Sequence, residues 1–226
     1  MVVLLHGGFW RARYTKVLMT GLARSVTAHG WAALNVEYRR VGAFGGGGGW
    51  PATFEDVAAA VDHLAAVDGV DLKRVVSCGH SAGGHLALWL AARPGLPPGA
   101  PGQAVGVAVG GAVALAGVAD LRRAADLGLG GGAVEEFLGG GPTAVKDRYQ
   151  LASPAERLPF GVPQVLIHGT VDEVVPASMS EAYAARAVAA GDDARYVPVT
   201  GGHRHMLMPG GAAWAAALPH LARLLG

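Results

Sequence analysis

The chain has 226 residues, 51% of them apolar, with 18 Lys+Arg against 17 Asp+Glu and a formal net charge of +1. That length suits one α/β core and is cramped for two, and a mean hydropathy of +0.33 calls for a large buried interior. Scattered, balanced charge gives no basic face for nucleic acid or an anionic membrane, and a lone cysteine, Cys78, rules out an intrachain disulfide.

Short Val-rich apolar runs recur along the chain, at Val2–Leu5, Ala32–Val36, Arg74–Cys78, Val105–Val109 with Val113–Leu115, Gln164–His168 and Arg195–Val199. They show no period-2 alternation, which predicts strands buried on both faces of a parallel sheet, with Cys78 a buried strand residue. Helical spacing fills the intervals. Val17, Leu18, Leu22 and Val26 mark a helix ending at Gly30, and Phe54, Val57, Val61 and Leu64 mark one with Thr53 as N-cap. Ala82–Ala92, Ser180–Ala190 and Ala212–Leu225 mark three more. The alternation predicts one α/β domain over residues 1–226, a mostly parallel sheet flanked by helices and joined by right-handed crossovers.

No basic segment leads into an apolar stretch and cleavage site, so a cytoplasmic location is expected. The uncharged stretch Pro94–Ala119 is broken by prolines and glycines and falls short of the ~20 apolar residues a membrane span needs. The five-glycine run Gly45–Gly49 reads either as a plain surface loop or as the rim of a site. Residues 117–162, with Gly130–Gly132 and Gly139–Gly141, suit a small cap or lid.

Residues 79–83 read Gly-His-Ser-Ala-Gly. Six serines and 36 glycines among 226 residues give about 0.15 chance occurrences of such a G-x-S-x-G pattern, so its context decides. It follows a predicted strand and precedes a predicted helix, the setting that lifts a nucleophilic Ser81 onto a tight turn at the sheet's carboxyl edge. A hydroxyl needs a base, and the base an orienting acid. Asp172 follows the strand Gln164–His168, and His203 follows Arg195–Val199 through Gly201-Gly202, in the order Ser, Asp, His. Glu173 and Asp120 compete for the acid position, though Asp120 reads better as a helix N-cap, and His205 competes with His203. The His203-x-His205 spacing also suits a metal, yet no further ligands converge in sequence, so neither metal nor cofactor is expected. An oxyanion formed at an acyl carbon needs backbone N–H donors; Ala82 and the loop Gly7, Gly8, Phe9 are the candidates.

Together these motifs resemble the α/β-hydrolase superfamily along essentially the whole chain. His6-Gly7-Gly8-Phe9-Trp10 is similar to the HGG-x-W oxyanion motif of esterases. Gly79–Gly84 is similar to their G-H-S-A-G-G elbow, and His168–Pro176 to their H-G-x-x-D-x-x-V-P acid segment. The nearest similarity is to kynurenine formamidase-like and acetyl-esterase-like members, which share His85 after the elbow; His205 stands where an acidic residue is often found. The resemblance implies the α/β-hydrolase fold with a Ser81-Asp172-His203 triad. It also implies two antiparallel strands ahead of Val2, so about 30 further residues are expected upstream.

The function expected is a metal-independent serine hydrolase of small esters or amides, working through an acyl-enzyme. One alternative is an arylformamidase acting on N-formylkynurenine, for which Trp10, Phe44, Trp50 and Phe137 could form an aromatic pocket or simply pack. The other is a catalytically weak binding protein that reuses the fold. The partner expected is a small-molecule substrate; the sequence carries no sign of oligomeric state.

Overall fold

The computed structural model describes residues 1–226. Six strands lie parallel in one sheet: β1 (Val2–Leu5), β2 (Ala33–Val36), β3 (Val76–His80), β4 (Ala112–Leu115), β5 (Gln164–Gly169) and β6 (Ala194–Val199). Their order is β2-β1-β3-β4-β5-β6. The chain therefore starts inside the sheet, winds outward to β2, and then crosses to the other side of β1 for β3. That reversal opens a crevice at the carboxyl ends of β1 and β3, where open α/β sheets bind ligands.

Along β1 successive side chains point to opposite faces, which splits the core in two. Val3 and Leu5 join Phe54, Val57 and Val61 of α2 (Ala52–Asp62), Leu86 and Trp89 of α3 (Ala82–Ala92) and Met179 of α7 (Ala177–Ala189). Val2 and Leu4 join Leu22 and Val26 of α1 (Thr20–Ala28) and Trp214 and Leu221 of α8 (Ala212–Leu225). Each such side chain, fully buried, contributes roughly 1.5–3 kcal/mol. All eleven residues of α3 are buried, so this helix carries no polar stripe.

Residues 117–162 hold three short helices, α4 (Leu121–Asp126), α5 (Ala133–Leu138) and α6 (Lys146–Ala152). Their Leu121, Phe137 and Tyr149 belong to the larger core.

Three local expectations are corrected. β3 begins at Val76, because Asp71 turns the preceding segment by accepting from the Lys73 amide and the Arg74 guanidinium. Val105–Val109 is a loop that bends at Gly106 and Val107, whose amides donate to Asp62, and the buried Arg93, paired with Asp62, holds the segment just before it by donating to the Gly102 and Ala104 carbonyls. Thr53 lies inside α2, where its hydroxyl donates to the Arg39 carbonyl and accepts from the Gly49 amide; Pro51 holds the cap position.

Candidate active site

Ser81 stands between β3 and α3 with φ 56° and ψ −120°, backbone that a non-glycine residue adopts only under strain. Close packing fixes the turn. A Cβ on Gly79 would overlap the Gly83 carbonyl, and one on Gly83 would overlap the Leu5 carbonyl at the end of β1. Strand, elbow and helix thus meet without room for a methyl group. The Ser81 amide donates to the Leu115 carbonyl (2.9 Å), and its own carbonyl accepts from His85 (3.1 Å).

The loop leaving β1 lies beside the elbow. Gly8 has φ 116°, and a Cβ there would run into the Tyr14 ring; Phe9 and Trp10 follow with φ 53° and 56°. The Gly7, Gly8 and Phe9 amides donate to no backbone acceptor. Side chains on either flank hold this loop. His6 is buried, stacks on Tyr38 at 4.2 Å, and reaches the Gly7 carbonyl (2.8 Å) and Glu37 (3.0 Å) through its two ring nitrogens. Trp10 packs on Phe137 at 4.5 Å and donates from Nε1 to Nδ1 of His85 (3.2 Å), whose Nε2 donates to the Ala152 carbonyl (2.9 Å). Arg11 then grips Glu136 with two hydrogen bonds of 2.8 and 3.0 Å and donates to the Gly130 carbonyl (2.7 Å), tying residues 130–136 to the loop.

Asp172 follows β5 and His203 follows β6. The Asp172 carboxylate is fully buried; Oδ2 accepts from His203 Nδ1 at 2.7 Å, and Oδ1 accepts from the Val174 and Val175 amides at 2.8 and 3.0 Å. Burial pushes this carboxyl up, but hydrogen bonds from His168, His203 and the Val175 amide outweigh it and hold it well below the usual carboxylate range. Ser81 and His203 line one cavity of about 520 Å³ with Gly8, Phe9, Tyr14 and Leu207. The His203 ring makes its side-chain hydrogen bond to Asp172 and none to the Ser81 hydroxyl, which it meets only across the shared cavity.

The rivals occupy other posts. Asp120 caps α4, accepting from the Arg123 amide (3.1 Å), and pairs with Arg186. His205 Nδ1 accepts from the Gly202 amide (3.1 Å) and so braces the turn that carries His203. Glu173 is exposed and, with His205 and Arg204, lines a neighbouring cavity of about 370 Å³ that shares His203. No three His, Cys, Asp or Glu side chains are placed to hold a metal ion.

The aromatic residues read as a pocket lie elsewhere. Trp10 and Phe137 pack in the core, Trp50 meets Phe54 edge-on, and Phe44 projects into solvent from the glycine loop. Phe9 and Tyr14 take that place in the cavity wall instead. Sequence reading also passed over Tyr14, Leu18 and Leu207 as lining residues, since nothing in their spacing separates a cavity wall from a core.

Sheet order, crevice and serine elbow define an α/β-hydrolase fold. A truncated form of a carbohydrate esterase from gut microbiota superposes with a TM-score of 0.85, at 21% identity over 99% of this chain and 85% of its own. Est2, a thermophilic esterase of the planctomycete Thermogutta terrifontis, gives a TM-score of 0.74 at 26% identity over 99% and 80%. The same esterase phosphoramylated by tabun gives 0.76 at 24% over 99% and 81%. The family model BD-FAE matches residues 1–186, and the chain belongs to that family. No curated protein sequence matches it. No helix is long and apolar enough to cross a membrane.

Proposed function

We propose that this protein is a serine esterase that hydrolyses small carboxylic esters through an acyl-enzyme. The observation that carries this reading is the 2.7 Å Asp172–His203 pair opening onto the cavity that holds Ser81. His203, oriented by Asp172 through Nδ1, takes the Ser81 proton on Nε2 as the hydroxyl attacks the ester carbonyl. The oxyanion is held by amides of Gly7, Gly8 or Phe9 and by that of Ala82, which sits in the first turn of α3 with no intrahelical acceptor. His203 then protonates the departing alkoxide, and a water it activates releases the acid.

Similarity to esterases, one of them phosphoramylated by tabun, supports this choice. Trp10 and Phe137 are buried as packing residues and give an arylformamidase reading no support, and the esterase neighbours favour esters over N-formylkynurenine.

A panel of p-nitrophenyl esters, anilides and N-formylkynurenine, run on wild type and Ser81→Ala, tests the proposal. Ester turnover that drops by about 10⁴-fold or more in the variant supports it. Equal turnover in both sinks the Ser81 mechanism, and a folded wild type that neither turns over esters nor labels with a fluorophosphonate leaves a binding protein.

A further inference from the structure

Behind Asp172, away from the cavity, lies a second histidine that the mechanism above does not use. His168 sits near the end of β5 and is fully buried. Its Nε2 is 2.9 Å from the Val175 carbonyl and 3.2 Å from Asp172 Oδ2, while Nδ1 is 2.7 Å from the hydroxyl of Ser180 on α7. The two atoms facing Nε2 only accept, so Nε2 carries a proton. Nδ1 is hydrogen-bonded to the buried Ser180 hydroxyl, which holds the ring in this orientation.

Resting on the triad reading, we propose that His168 is a positioning residue for the catalytic acid, its ring held in place by Ser180, and that it both aims Asp172 Oδ2 at His203 and moderates the charge there. Two consequences follow from the geometry. With two amides on Oδ1, the His203 Nδ1–H on Oδ2 and the His168 Nε2 packed 3.2 Å from that same oxygen, the carboxylate has one favourable orientation. The His168 N–H, shared with the Val175 carbonyl, also offsets part of the charge on Oδ2 from 3.2 Å, and its removal leaves that oxygen a stronger partner for a positively charged His203.

The other ionisable groups around the pair are few. From β3, His80 donates Nε2–H to the His203 carbonyl (3.0 Å), its ring 4.6 Å from that of His203; burial and then the nearby His203 hold it down to about 3, so it is neutral near pH 7. Glu173 is on the loop of Asp172 and His205 in the turn of His203, both facing the outer cavity, while Arg204 in the same turn lines both that cavity and the one that holds Ser81. From α7 only the uncharged Ser180 touches His168.

The test is kcat and KM against pH for p-nitrophenyl acetate, with wild type, His168→Leu, His168→Gln and Ser180→Ala, thermal melts confirming the fold. In His168→Leu the acid limb of kcat/KM moves to higher pH by about 0.5 to 1 unit. Its kcat falls about 10- to 100-fold, while KM changes less than about threefold. His168→Gln keeps an N–H near the Nε2 position and recovers most of both effects; Ser180→Ala shows a smaller loss in the same direction. An unmoved acid limb in folded His168→Leu overturns the inference, as do equal profiles for the Leu and Gln variants. Should His168→Leu fail to fold, an unmoved limb in Ser180→Ala overturns it. Ser81→Ala and Asp172→Asn run alongside: activity surviving in those two breaks the triad itself, whereas their inactivity with wild-type-like His168 variants breaks the His168 role alone.

Discussion

The two halves of the site are held by different forces. Around Ser81 the backbone is pinned by exclusion, because Gly79, Gly83 and the end of β1 pack so closely that no methyl group fits between them. Around Asp172 and His203 the parts are held by hydrogen bonds among buried polar groups: the Val174 and Val175 amides, His168 and Ser180. A steric half tolerates no change of shape. A hydrogen-bonded half tolerates shape and is sensitive to the loss or reversal of a donor.

Substitutions on each side separate the two. Asp172→Asn keeps the size of the side chain but presents an amide where His203 needs an acceptor, so kcat for ester hydrolysis is expected to fall about 10³- to 10⁴-fold with the melting temperature little changed. A large unfolding shift in place of the rate loss would place Asp172 among the structural residues. Gly83→Ala is expected to do the reverse. Its Cβ meets backbone that cannot rotate away, so stability drops by about 3 kcal/mol, read from urea denaturation. Residual folded Gly83→Ala enzyme at wild-type stability would show that the elbow can relax.

The most graded effect is with pH. Burial lowers His85 to about 4, and burial and His203 lower His80 to about 3, against roughly 6.5 in an unfolded chain. Between those values the unfolded chain takes up protons that the folded protein refuses. Stability from this source is therefore complete above about 6.5 and is lost as pH falls toward the folded values. Melting temperature is expected to decline steadily from pH 6.5 to 4.5, less so in His85→Gln; a flat profile would mean these rings accept protons in place.

The same contrast explains what could be read from the residues alone. Val2–Leu5, Ala82–Ala92 and Ala212–Leu225 are found with the bounds the sequence predicts, because apolar runs and helix-forming stretches are local signals. The glycines of the elbow announced themselves by position as well. Val105–Val109 misled, since the partner of its amides, Asp62, stands far away in sequence. His168 showed only as part of a strand and a motif, for its tie to Ser180 exists only once β5 and α7 pack. Thr53 failed as a cap for a similar reason: Arg39, from another part of the chain, claims its hydroxyl.

The burial of α3 on every side bears on how such a protein can change over time. Helices such as α1 and α8, with one face to water, can drift at every third or fourth position. The helix behind Ser81 has no such outlet, so its alanines and glycines form a gauge that fixes the distance between sheet and outer helices. Variation in the cavity wall is left to the loops at the strand ends, where Phe9, Tyr14 and Leu207 stand clear of the packed helix.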